Sequence, residues 1–136
     1  MESMYTIYKG ELRTESKHLK SGSIVITDAP PDNMGKGEAF SPTDLLCVSL
    51  ATCMTTLMGI AARTHEIEIE GMKLRIVKQM GSNPRKVAGV KIDFDMPQKN
   101  YSEKEQKILD LAARTCPVAL SLHPDLIQDI TFHYSK

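Results

Sequence analysis

The sequence predicts an α+β fold, and three features predict it. Strand-like segments come in runs punctuated by single helices, rather than alternating one for one with them. One run, Leu45 to Ala62, is almost uncharged and reads as a helix apolar on nearly every face. No internal repeat and no linker-like stretch divides the 136 residues, so a single domain spanning 1–136 is expected.

The first elements are strands. Tyr5-Thr6-Ile7-Tyr8 alternates, Glu11-Leu12-Arg13-Thr14 comes after a Lys9-Gly10 turn, and Ser23-Ile24-Val25-Ile26-Thr27 is rich in β-branched residues. From Asp28 to Gly37 the chain is dense in turn formers, which marks a long surface loop. Ser41-Pro42 supplies an N-cap and a first-turn proline, and Asp44 suits the positive helix end, so a central helix begins there and runs to about Thr64. Ile67 to Glu70 and Met72 to Ile76 read as one long strand bent near Gly71. The turn at Gly81-Ser82-Asn83-Pro84 leads into a returning strand, with Val90, Ile92, Phe94 and Met96 on its buried face. Ser102-Glu103-Lys104-Glu105 matches a capping box, and Ile108, Leu109, Leu111 and Ala112 keep helical spacing up to Cys116. Pro117 stops that helix and can start another turn over Val118 to Leu122. Ile130, Phe132 and Tyr134 mark a last strand, giving the order βββ-α-ββ-α-β.

The central helix raises a membrane question by its length. It carries Ser49, Thr52, Thr55, Thr56 and Gly59 and is the only such run, so a soluble core helix is expected, with no membrane partner. A helix apolar all round needs cover all round. Partner chains that wrap each other's central helices in an obligate dimer would supply it; a monomer with the helix under one sheet is the alternative.

Composition removes several classes. Seventeen basic residues balance seventeen acidic ones with no basic run among aromatics, which argues against nucleic acid. The N-terminus lacks a basic and then apolar export signal, so the cytoplasm is the expected compartment. Three cysteines are an odd count for a structural disulfide framework, and any disulfide should be transient. The four histidines make no metal-binding pattern with the cysteines, and Gly35-Lys36-Gly37 is no nucleotide loop, so neither metal nor cofactor is expected.

The cysteines carry the clearest chemistry. Cys53 lies in the apolar middle of the central helix, where burial keeps a thiol protonated. Cys116 stands at the mouth of a new turn, where free N–H groups and the positive dipole end favour thiolate. One could attack an oxidant and the other resolve it, although a cysteine taken alone is more often a small core hydrophobe. Cys47 is assigned to the core, about 240° around the helix from Cys53.

The span Gly37-Glu38-Ala39-Phe40-Ser41-Pro42-Thr43-Asp44-Leu45-Leu46, then Leu50-Ala51-Thr52-Cys53 and, downstream, Cys116-Pro117-Val118, resembles the OsmC/Ohr family of thiol peroxidases. The resemblance implies an OsmC-like fold with a central buried helix, an intertwined homodimer with active sites at the subunit interface, and reduction of organic hydroperoxides without a bound cofactor. It implies that Cys53 is the peroxidatic thiol, passing through a sulfenic acid, and that Cys116 resolves it as a Cys53–Cys116 disulfide. An external dithiol would then reset the enzyme. By its place before Cys53, Arg13 corresponds to the arginine that activates the thiol, though Gly10-Glu11-Leu12 stands where the Ohr branch has two glycines. A mid-helix thiol lacks help from its own helix dipole and needs such a guanidinium; Arg63 and Arg114 are alternatives. The Ohr branch has glutamate directly after the helix proline. Here that place is Thr43 and the acid is Asp44, about 13.5 Å along the axis from Cys53, so Asp44 could act only by holding an arginine, or else simply suits the helix dipole. Leu50, Met54, Leu57 and Ile60 around Cys53 favour a substrate with an apolar tail. Two other readings use the same residues: a dimeric binder of apolar small molecules, and a redox sensor without turnover.

Overall fold

Residues 1–135 are described by a computed structural model, in which the backbone gathers into two compact units, Met1–Leu46 and the chain from Cys47 onward. The first holds an antiparallel sheet in the order β1 (Met4–Gly10), β2 (Arg13–His18), β3 (Ile24–Asp28). The hairpin between β1 and β2 closes on Glu11 and Leu12, both with positive φ (55° and 61°), the backbone of a two-residue turn that matches strand twist. The second strand therefore starts at Arg13, not at Glu11 as the alternation suggested. Across the sheet, Arg13 pairs in register with Asp28.

The loop after β3 is folded tightly on itself. It contains one 3-10 turn, Pro31–Asn33, and is tied at its neck by Asp28 N–H to Phe40 C=O (3.1 Å) and Gly37 N–H to Ala29 C=O (3.2 Å). Gly35 is obligatory here, since a Cβ would stand 1.8 Å from the Ala29 carbonyl oxygen. The long helix α1 (Pro42–Thr64) then begins on a reciprocal cap: Asp44 N–H donates to Ser41 Oγ (3.0 Å) and Ser41 N–H donates to Asp44 Oδ2 (2.9 Å).

α1 ends where expected, but the segment from Ile67 to Glu70 is not a strand. Glu66 adopts φ 56°, Ile67 N–H reaches back to Ala62 C=O (2.8 Å) and Glu66 N–H to Arg63 C=O (3.4 Å), a Schellman ending. Ile67 and Ala62 are both buried, the apolar contact typical of that motif. The chain then turns at Gly71, with Met72 N–H on Ile69 C=O, and pairing starts only at β4 (Lys73–Gly81). β4 runs antiparallel to β5 (Lys86–Asp95), and β6 (Ile127–His133) lies parallel to β5 on its other side. Between β5 and β6 come α2 (Glu103–Arg114), opened by the expected Ser102/Glu105 capping box, and the short α3 (Pro117–Ser121).

The core of this second unit is the predicted face of β5, with Val90, Ile92 and Phe94 fully buried, against Leu50, Met54 and Met58 of α1 and Leu109 and Ala113 of α2. On α1 the buried residues Cys47, Leu50, Ala51, Met54, Met58 and Ala62 form one stripe. The chain does not cover the helix all round: Ser49, Thr52, Thr56 and Ile60 are exposed, Ile60 to 58%.

Candidate active site

α1 carries Cys53 on the flank of its buried stripe, half-buried, one residue before the fully buried Met54. Cys116 caps α3, its sulfur accepting Ala119 N–H at 3.4 Å, and is wholly buried. Although 63 positions separate them, Cys53 is near enough to Cys116 to act on its pKa, and all three cysteines are free. The position of Cys116 at a helix mouth suggested a thiolate, but the balance runs the other way. Burial is the largest effect and pushes its pKa up; the Cys53 side chain pushes it further, and the Ala119 and Val118 amides only partly offset this. A helix of five residues offers little dipole to oppose desolvation. Cys116 thus keeps its proton, and Cys53 is the more accessible of the pair. Cys47 is core, as expected, at 2% exposure.

Arg13 sits at the start of β2 in a two-carboxylate grip. Its Nε donates to Asp28 Oδ1 (2.7 Å) and its Nη2 to Asp28 Oδ2 (2.8 Å), while Nη2 also meets Glu38 Oε1 (3.1 Å). Asp28 is fully buried, and its Oδ2 accepts the Glu38 N–H as well (3.2 Å). The hydrogen bonds to Arg13 hold the Asp28 carboxyl below its usual range, and those to Asp28 raise the Arg13 guanidinium above its own, so both stay charged. Sequence pattern singles out neither Asp28 nor Glu38. Asp28 stands there only as the first turn former after the third strand. Its link to Arg13 emerges once the Glu11-Leu12 turn sets the register.

The other expected residues take definite places. Asp44 shares the cap of α1 with Ser41. Arg63 lies in the last turn of α1, about 15 Å along the axis from Cys53. Arg114, in the last turn of α2, is paired with Asp110 at 2.8 Å. Of the apolar neighbours expected around Cys53, Leu50 and Met54 are core fillers, and Met58 with them. Open apolar space lies instead in a groove of about 410 Å³ between α1 and β4, lined by Ala51, Thr52, Thr55, Met72, Leu74 and Ile76.

Two antiparallel-containing sheets, one long apolar helix and two shorter helices define an α+β protein, with an arginine held by two carboxylates in its first unit and thiols on α1 and at the start of α3 in its second. The chain matches the family model of the OsmC-like protein over residues 35–128 and belongs to that family. It is 49% identical to a protein from Psychrobacter arcticus 273-4, provisionally named an osmotic stress induced and detoxification response protein, with a TM-score of 0.93 over 98% of this chain and 96% of that one. More distant structures share the fold. An organic hydroperoxide resistance protein OsmC from Legionella pneumophila is 14% identical (TM-score 0.74; 97% of each chain). An organic hydroperoxide resistance protein from Elizabethkingia anophelis is 12% identical (TM-score 0.75; 99% of this chain, 98% of that). Comparison with curated proteins gave no match.

Proposed function

We propose that this protein is a cysteine-based peroxidase that reduces organic hydroperoxides to alcohols. The observation that carries the reading is the approach of Cys53 to Cys116 from distant parts of the chain, with the proton held on the buried partner. The Cys53 thiolate attacks the outer peroxide oxygen: an S–O bond forms, the O–O bond breaks, and the alkoxide leaves with a proton as the alcohol. The sulfenic acid on Cys53 is then attacked by Cys116, an S–S bond forms and water departs. An external dithiol reduces that disulfide and returns both thiols. Arg13 is the guanidinium that stabilises the thiolate and the charge growing on the leaving oxygen. Its charge is secured by Asp28, and the choice of Arg13 over Arg114, which pairs with Asp110, follows its place in the sequence before Cys53. Asp44 stabilises the start of α1, and the groove beside Thr52 and Leu74 suits an apolar substrate tail.

The working form in this reading is a cytoplasmic homodimer. Its support is the apolar surface that the chain leaves open: Met4, Ile7, Tyr8, Ile24, Val25 and Ile26 on the first sheet are each at least 40% exposed. A partner chain laid over them would remove that surface from water. Steady-state reduction of an organic hydroperoxide, with a dithiol as electron donor, tests the function: the native protein turns over and Cys53→Ser does not. Equal turnover by the folded variant would overturn the assignment.

A further inference from the structure

We propose that the groove between α2 and β6 is a ligand site apart from the cysteines, one that takes a small neutral molecule with an apolar body and a carbonyl acceptor. The groove has a volume of about 700 Å³, within the range of small-molecule sites, and is larger than the one beside Thr52. Both of its walls belong to the second unit, and neither Cys53 nor Cys116 lines it. On one side stand Ile130 and Phe132 of β6 and Tyr134 just beyond it, which share one face of the strand by alternation. On the other, α2 contributes Glu103, Lys107, Asp110 and Arg114, spaced to lie along one face of the helix.

The Tyr134 hydroxyl points to an occupant. Among the described residues it alone is a buried side-chain polar atom without a hydrogen bond, and groups so buried are nearly always paired. Its polar neighbours are engaged elsewhere. The Tyr101 ring meets Tyr134 edge-on at 5.6 Å, but its own hydroxyl donates to Glu68 C=O. Gln106, also in the groove, donates its amide to Tyr101 C=O (3.0 Å), and Asp110 accepts from Arg114 Nε (2.8 Å). Burial first, then the charges of Asp110 and Tyr101, push the Tyr134 pKa up to about 12, so the phenol keeps its proton and offers a donor.

Charge selects the acceptor. Glu103 and Asp110 are balanced by Lys107 and Arg114, so the groove has no net charge with which to draw in an ion. An anion brought to Tyr134 would meet Asp110, which already acts on that phenol, and an ammonium group has no lone pair to accept its proton. A neutral carbonyl satisfies the hydroxyl without either cost, while Ile130 and Phe132 receive the apolar body.

Titration of the full-length protein with benzamide, benzoate and benzylamine, followed by backbone amide NMR, tests this on a common ring. Benzamide should shift the resonances of α2 and β6 saturably at millimolar concentration, and benzoate and benzylamine should bind about fivefold more weakly or worse, the worth of one hydrogen bond. Tyr134→Phe should weaken benzamide binding by about fivefold for the same reason. Asp110→Asn removes the repelling acid and should bring benzoate up to the affinity of benzamide; it serves if Tyr134→Phe fails to fold. No saturable shift with benzamide, shifts confined to other elements, or equal binding by folded Tyr134→Phe would overturn the proposal. Preference of the native protein for benzoate or benzylamine, or no gain for benzoate in Asp110→Asn, would overturn the ligand class and the proposal with it.

Discussion

Oxidation by one equivalent of an organic hydroperoxide should make the protein markedly harder to unfold. The reasoning starts from the contact between Cys53 and Cys116, which stand 63 positions apart in the chain. A bond between them closes a loop of about that many residues in the unfolded ensemble, an effect worth up to about 4 kcal/mol on a chain-entropy estimate and about 2 kcal/mol if some strain opposes it. For a chain of 136 residues the unfolding entropy is about 0.29 kcal/mol/K, so the melting temperature should rise by about 7–14 °C. Differential scanning calorimetry at fixed protein concentration reads the shift, since association would otherwise move the midpoint too. Thiol titration of the same samples should fall from three free thiols to one. Cys116→Ser should lose the stabilisation while still reacting once with the peroxide. Loss of two thiols with no rise in melting temperature would refute the argument, because the new bond would then not be the long intrachain loop.

Three further outcomes are expected from the packing and charges. Phe94→Ala, at a fully buried site stacked 4.5 Å from Phe132, should cost about 3–5 kcal/mol in urea unfolding, and a change under about 1 kcal/mol would contradict the placement of the core. Ser102→Ala removes one half of the α2 capping box and should cost about 1 kcal/mol by the same measurement. Asp93 bonds His133 and Lys91, and those hydrogen bonds, His133 first, draw its pKa down from 3.8 to about 2. A depressed carboxyl contributes stability above its unfolded value and loses it as the pH falls, so the gap between native protein and Asp93→Asn should narrow from about pH 4 to pH 2 and stay level above that range.

The features legible in the sequence are those written in local chemistry. The Ser102/Glu105 box, the proline-led start of α1 after Ser41 and the alternation of Val90, Ile92 and Phe94 each depend on residues within one turn or one strand, and the structure has them all. The misleading stretches depend on tertiary context. Ile67 to Glu70 alternates like a strand, yet Ile67 is drawn into the core as the last contact of a Schellman ending, with Glu66 rather than glycine in the left-handed position that would have signalled it. Cys116 has the local setting of a thiolate, but complete burial outweighs the Ala119 and Val118 amides. Asp28 is silent in the sequence because its role depends on strand register, and register hangs on where a two-residue turn falls. The apolar run of α1 suggests a need for cover on every side. Within one chain only a stripe has it, and the remainder is consistent with the partner chain proposed above.

The central claim, that Cys53 is the attacking sulfur and Cys116 the resolving one, is tested most directly by trapping the intermediate. Cys116→Ser treated with one equivalent of organic hydroperoxide and then a sulfenic-acid probe should show, by peptide mass spectrometry, the label on Cys53 and not on Cys47. Label on Cys47, or none on any cysteine while the peroxide is still consumed, would contradict the account.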